Sequence, residues 1–276
     1  GYDDIFVSGY SENEKPPATL IVENAKNAFK ENRPLLYHNN GNGTFTDKTQ
    51  QFSVGSRNNT YMAIPFDFNK DGWMDLYLSN DGQSNMLLIN QQGNSFVDEA
   101  LKYKINSSIN DMGITIGDYN LDGNFDIFIT GIYKNLLFSK NGTPYKDEAI
   151  DKMINNTKWS WGATFADYDL DGDEDLFIAN GYHLDQGPIE AGDVKIQNNF
   201  YFKNKYQEGE NTFEDFSEAS NLGEKTISVN TVNFDYDNDG DLDLYVTNND
   251  RTSYFYENTT TNTESENSNN WFKVDL

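Results

Sequence analysis

An all-β chain of repeated, four-stranded antiparallel sheets is what the sequence predicts, on three observations. A nine-residue acidic motif recurs four times, and each copy runs directly into a short apolar segment. A second landmark, an asparagine beside a glycine-containing turn, recurs once per unit. Between these signals Gly, Asn and Asp punctuate the chain every few residues, which excludes long helices.

The four copies read Asp67-Phe-Asn-Lys-Asp-Gly-Trp-Met-Asp75, Asp118-Tyr-Asn-Leu-Asp-Gly-Asn-Phe-Asp126, Asp167-Tyr-Asp-Leu-Asp-Gly-Asp-Glu-Asp175 and Asp235-Tyr-Asp-Asn-Asp-Gly-Asp-Leu-Asp243. Their first aspartates stand 51, 49 and 68 residues apart. The chain opens inside a fifth copy, where Gly1-Tyr-Asp-Asp4-Ile-Phe-Val aligns with Gly240-Asp-Leu-Asp243-Leu-Tyr-Val. The second landmark reads Leu35-Leu-Tyr-His-Asn-Asn-Gly-Asn-Gly-Thr-Phe-Thr-Asp47, with later forms around Met86–Asp98, Leu136–Asp147 and Phe200–Asp215. A period near fifty, with several short strands per unit, is the mark of β-propeller blades.

Each unit parses into four strands. Strand A precedes the motif, as in Trp161-Gly-Ala-Thr-Phe-Ala, and strand B follows it, as in Leu176-Phe-Ile. Strands C and D flank the Asn/Gly turn, which has hairpin chemistry. Strand B is apolar without alternation, which predicts burial on both faces, as between neighbouring blades. The units expected are a part-blade at 1–55 and blades at about 56–105, 106–152, 153–222 and 223–265, with 266–276 a last strand or the start of a further segment. Two B–C links are long, 10–33 and 181–197, and residues 19–30 could form a short amphipathic helix. Insertions on one type of loop fall on one face of a repeat array, often the binding face.

The acidic motif has the chemistry of a cation loop. Positions 1, 3 and 5 carry side-chain oxygen, the glycine at 6 permits a sharp reversal, position 7 offers a carbonyl, and position 9 adds a carboxylate. Six or more oxygens without nitrogen or sulfur suit calcium better than magnesium. The candidate ligands are Asp67, Asn69, Asp71, Trp73 and Asp75, then Asp118, Asn120, Asp122, Asn124 and Asp126. The third and fourth sets are Asp167, Asp169, Asp171, Asp173 and Asp175, and Asp235, Asp237, Asp239, Asp241 and Asp243. Asp4 stands at position 9 of the truncated copy, so about four complete sites and a fifth partial one are expected. An EF-hand would need a glutamate at position 12, where Leu78, Ile129, Ile178 and Val246 stand, so that reading fails. The plain alternative is a solvated Asx-turn that binds nothing, but carboxylates held this close repel unless neutralised. Loops with Asn69 and Asn120 at position 3 should bind more weakly than those with Asp169 and Asp237.

The paired motifs resemble the FG-GAP/VCBS repeat of integrin-α-type β-propellers over nearly the whole chain. The ending Asn269-Asn-Trp-Phe-Lys-Val-Asp-Leu276 resembles the entry into the ASPIC/UnbV segment of cartilage-acidic-protein-like proteins. The resemblance implies a secreted or cell-surface propeller with calcium in the A–B loops, and a partner-binding face built from B–C and D–A loops. It assigns calcium to positions 1, 3, 5 and 9 of each loop, from Asp67, Asn69, Asp71 and Asp75 onward. Family propellers usually have more than five blades, which implies a trimmed array within a larger polypeptide.

Composition narrows the function. A net charge of −25 argues against nucleic acid, while 19 Phe and 17 Tyr argue against a disordered acidic chain. There are no cysteines, so disulfides and thiolate metal sites are excluded, and no apolar run approaches a membrane span. Only His38 and His183 are present, and no Ser/His/Asp order, phosphate loop or zinc spacing is visible. His183 lies in the long fourth-unit link beside Tyr182 and is a candidate partner contact. Trp159 and Trp161 share one side of a strand, either packed between blades or forming an aromatic platform for a sugar or a protein loop. The expectation is a non-catalytic, calcium-stabilised binding or adhesion module with a protein or glycan partner. The alternatives are a lyase-like polysaccharide enzyme on a propeller scaffold and a structural spacer of a larger adhesin.

Overall fold

The computed structural model of the chain describes residues 3–9, 34–52, 59–140, 144–181, 196–249 and 251–260. The expected helix at 19–30, most of both long B–C links, Tyr182, His183 and the segment 269–276 lie outside them. The chain divides into two compact units, Gly1–Met112 with Asn141–Tyr145, and Gly113–Lys140 with Lys146–Leu276.

The first unit holds two antiparallel sheets. One is β1 (Ile5–Val7), β2 (Leu35–Asn39) and β3 (Phe45–Asp47), in that order. The other is β4 (Thr60–Phe66), β5 (Asp75–Asn80), β6 (Met86–Asn90) and β7 (Phe96–Asp98), again in sequence order. Leu36 meets Leu76, Leu78 and Leu88 in one apolar cluster, with Phe6, Phe52 and Phe96 packed against it.

The second unit begins within β8 (Asp111–Gly117), which pairs β9 (Asp126–Gly131), β10 (Leu136–Ser139) and β11 (Lys146–Asp147) in an antiparallel meander. Next come β12 (Ser160–Ala166) and β13 (Asp175–Asn180), then β14 (Gln197–Asn198), β15 (Phe200–Asn204), β16 (Phe213–Asp215) and β17 (Lys225–Thr226). The four-stranded sheet here is β12-β13-β15-β16, while β14 and β17 form a separate two-stranded ribbon that the sequence pattern did not announce. The last sheet is β18 (Ser228–Phe234), β19 (Asp243–Asn248) and β20 (Tyr254–Tyr256). Helix is confined, among the described residues, to two single turns at Thr49–Phe52 and Ala100–Tyr103.

The apolar runs after each motif are explained by two-sided burial. Every residue of β5, β9 and β13 is buried. In β13 the side chains alternate between two cores. Leu176 and Ile178 join Phe128, Leu137 and Phe165, whereas Phe177 and Ala179 join Tyr201, Leu244 and Val246. The sheet is therefore covered on both faces, and the polar-out alternation of a half-exposed strand has no place.

First strands of successive sheets come closest at glycines. A Cβ on Gly113 would stand 2.2 Å from the Trp161 carbonyl oxygen, and one on Gly162 would stand 2.8 Å from Asn230 Cα. Both distances are below any real Cβ contact, so only hydrogen fits at these two positions.

Trp159 and Trp161 sit beside this junction, at 2% and 4% exposure. Their rings lie 6.3 Å apart, and Trp161 Nε1 donates to the Gly181 carbonyl at 2.5 Å. This burial describes the packed alternative, since neither ring face is open for a sugar or loop to stack on.

Candidate functional site

The four motifs fold into loops of one design between the first and second strands of their sheets. Position 4 takes a left-handed conformation in every copy, at Lys70, Leu121, Leu170 and Asn238 (φ 61, 53, 56 and 62°), and so does the glycine at position 6. For Gly72 and Gly123 an added Cβ would meet nothing within 4 Å, so backbone conformation, not space, requires glycine there. The position-1 carboxylate gathers backbone donors. Asp67 accepts N–H bonds from Asp71 at 3.0 Å and Gly72 at 2.8 Å, and Asp118 and Asp167 repeat the pattern. The position-5 carboxylate accepts the N–H of position 7 in all four copies.

Position 9 acts as a clamp. One oxygen of Asp75, Asp175 and Asp243 accepts the N–H of position 2 (Phe68, Tyr168 and Tyr236) at 3.0 to 3.3 Å. The other accepts an N–H from the end of the third strand or just past it, of Asn90, Asn204 or Asn258, at 2.7 to 2.9 Å. Asp4 does the same to Asn39 at 2.9 Å and also takes His38 Nδ1 at 3.0 Å. Asp126 holds the N–H of Lys140 at 3.3 Å, and its Oδ2 is buried without a hydrogen-bond partner. Burial pushes the carboxyl of Asp126 up to about 7, with Asp122 and Asp118 adding repulsion, and that of Asp175 up to about 8.

The asparagine of the second landmark is a latch, a role its sequence context did not reveal. Asn204 Nδ2 donates to the Glu174 carbonyl of its own loop at 3.1 Å and to Tyr119 O of the preceding loop at 2.7 Å. Asn258 does likewise with Leu242 O at 3.3 Å and Tyr168 O at 2.7 Å. The aspartate closing that landmark caps the turn that follows: Asp47, Asp98, Asp147 and Asp215 accept N–H bonds from Thr49, Ala100, Ala149 and Ser217.

The loops differ in how well they could hold a cation. In the third, one oxygen each of Asp167, Asp169 and Asp171 lies within 4.8 Å of the others, and Asp235, Asp237 and Asp239 form the same group in the fourth. A further grouping, Asp171, Asp173 and Glu208, adjoins the third loop. Asp173 Oδ1 and Asp235 Oδ1 are buried without hydrogen-bond partners, a costly arrangement that a hard cation would relieve. In the first two loops an amide replaces the second carboxylate. Asn69 Nδ2 donates to Asp71 Oδ2 at 2.9 Å, and Asn120 Nδ2 turns to Ser139 Oγ at 3.1 Å. Trp73 and Asn124 offer no carboxylate at position 7, and the Trp73 ring lies over Gly93, whereas Asp173 and Asp241 are buried there.

A lysine contacts the third loop. Lys203, next to the latch asparagine on β15, donates its ammonium to Asp169 Oδ2, with 22% of its side chain exposed. Burial opposes the ammonium, but contact with Asp169, reinforced by Asp175 and Asp171, raises its pKa above the ordinary lysine value.

No curated protein sequence matches the chain. Among solved structures, one described as "Structural basis of specific recognition of non-reducing terminal N-acetylglucosamine by an Agrocybe aegerita lection" is similar at 17% identity and a TM-score of 0.43. The match covers 82% of this chain and 60% of that one, so the chain spans less than two thirds of that protein's length. The FG-GAP-like repeat model matches residues 1–78 and 67–129, which include the first two complete loops. The third and fourth loops lie beyond the matched residues and share the turn geometry of the first two. Within residues 1–129 the chain carries two matches to the FG-GAP-like repeat.

Proposed function

We propose that this chain is a non-catalytic, calcium-stabilised β-propeller module of a secreted or cell-surface protein, in which each sheet is a blade or part of one. The observation that carries the calcium reading is the carboxylate triad in the third and fourth loops, with buried Asp173 Oδ1 and Asp235 Oδ1 left without partners. An all-oxygen donor set in a tight loop is calcium chemistry. Asp167, Asp169 and Asp171 would hold the ion in one loop and Asp235, Asp237 and Asp239 in the other. The ion would neutralise charge that otherwise opposes folding of so acidic a chain. The first two loops would bind more weakly through Asp67, Asn69 and Asp71, and Asp118, Asn120 and Asp122.

The module's work would be to bind a protein or glycan. A polar cleft of about 740 Å³ in the second unit supports this, with Asn198, Phe200, Asp215, Glu218, Asn221 and Lys225 among its lining. A lining that combines amides and carboxylates with one aromatic ring suits sugar hydroxyls and an apolar sugar face. Among the described residues no helix is long and apolar enough to cross a membrane.

Calorimetric melting in excess calcium and in excess chelator tests the metal half. Calcium raises the melting temperature if the reading holds, and coincident transitions refute it. A glycan array and an immobilised extracellular-protein panel, probed in calcium, test the partner half, and the absence of any saturable binding makes the chain a spacer.

A further inference from the structure

The residue just before the one whose N–H meets the position-9 carboxylate (Asn39, Asn90, Lys140, Asn204 and Asn258) varies from repeat to repeat: His38, Ile89, Ser139, Lys203 and Glu257. In the second and third repeats this residue reaches position 3 of the acidic loop. Ser139 Oγ accepts from Asn120 Nδ2 at 3.1 Å, and Lys203 Nζ contacts Asp169 Oδ2. Ile89 and Asn69 line a common hollow in the first repeat. A single strand position therefore overlooks the cation-binding edge of each of these three loops. The third repeat alone of the three places a positive charge there. Its counterpart in the fourth repeat, Glu257, carries a carboxyl group in place of an amine.

We propose that Lys203 is a built-in competitor for the third loop's cation, so that this loop takes calcium more weakly than the fourth although both carry aspartate at positions 1, 3, 5, 7 and 9. The inference rests on the calcium reading above. The ammonium holds Oδ2 of Asp169, one of the three residues whose carboxylates gather within 4.8 Å of one another, so an entering ion must either displace it or tolerate a like charge at close range. Its Nζ also lies over the Phe216 ring, 5.6 Å from the centroid, a cation–π contact that helps hold the ammonium beside Asp169. Without calcium the same lysine neutralises part of the loop and steadies it. With calcium it becomes a cost. Charge count alone, which ranks the third and fourth loops together, misses this.

The test uses Lys203→Met, which keeps the stem and removes the charge, with Lys203→Gln as a second variant should methionine disturb folding. Isothermal calcium titration and melting in calcium and in chelator are run on both variants and the wild type. The expected result is a third-loop affinity tighter on the order of tenfold or more. The variant melts lower than wild type in chelator but not in calcium, so the calcium-induced shift widens. Ile89→Lys should weaken the first loop and narrow that shift. An unchanged titration, with the variant's melting lowered equally in both conditions, makes Lys203 an ordinary ion pair and overturns the proposal. Wild-type protein that neither binds calcium nor melts differently in it overturns the calcium reading itself, a result distinct from a variant that fails to differ.

Discussion

Replacing Asn204 by alanine removes the latch and leaves the clamp intact. The backbone N–H of residue 204 still serves Asp175 at 2.9 Å, because that bond does not involve the side chain. Three bonds are lost: the amide to Tyr119 O at 2.7 Å, the amide to Glu174 O at 3.1 Å, and Tyr206 N–H to Oδ1 at 3.3 Å. Asn204 is 1% exposed, so water does not easily replace the donor to Tyr119 O. At about 1 kcal/mol net per bond, plus about 1–3 kcal/mol for a stranded buried carbonyl, the loss is roughly 4–6 kcal/mol. The matched control is Asn90→Ala, whose amide has one carbonyl, Met74 O at 3.0 Å, in an exposed setting. That bond and the Gly93 N–H to Oδ1 contact at 2.8 Å are together worth about 1 kcal/mol where water competes. Urea denaturation in saturating calcium reads both variants, and the slope of each transition reports whether the unfolding unit has changed. Asn204 lies in the second compact unit and Asn90 in the first, so separate transitions would assign each loss to its own unit. Equal losses, within about 0.5 kcal/mol of each other, would refute the idea that the asparagine works by bridging loops.

Two further outcomes follow from burial. Folded Asp126 and Asp175 titrate near 7 and 8 against an ordinary 3.8, so the folded chain holds protons that the unfolded chain releases. Their contribution is full below about pH 4 and is lost as pH rises through 7 to 8, so in chelator the melting temperature falls between pH 5 and pH 9. Saturating calcium flattens that slope, and a chelated protein that grows more stable toward pH 9 contradicts the assignment. Gly162→Ala places a methyl 2.8 Å from Asn230 Cα and 3.0 Å from Thr231 N, both backbone atoms that cannot step aside. It should destabilise the second unit by about 2 kcal/mol or more, measured by denaturation, and a neutral effect would mean that the neighbouring strands slide apart freely.

The elements most legible in the sequence were those dictated by local chemistry. The apolar runs Leu176-Phe-Ile and Ile127-Phe-Ile announced doubly buried strands because burial on two faces removes alternation. The aspartate spacing announced the loops because a tight reversal needs glycine at position 6 and acceptors at 1 and 5. What depends on distant partners stayed hidden. The Asn204 side chain looks like a turn residue, yet its amide reaches a carbonyl 85 residues away. Lys203 reads as a solvated strand lysine until the fold brings it onto Asp169. The β14–β17 ribbon pairs two dipeptides, Gln197–Asn198 and Lys225–Thr226, too short to carry a period. Trp159 and Trp161 fitted a packed core better than an open platform in sequence, and their depth is what separates the two.

The latch also has a consequence in time. The second loop is braced by Asn204 and the third by Asn258, each from the repeat that comes after it. On a chain growing from its N-terminus, a loop is therefore complete only once the following repeat has been made and docked. The second and third loops lack this brace for one repeat's worth of synthesis, so on the calcium reading cation uptake there should trail elongation in the same order.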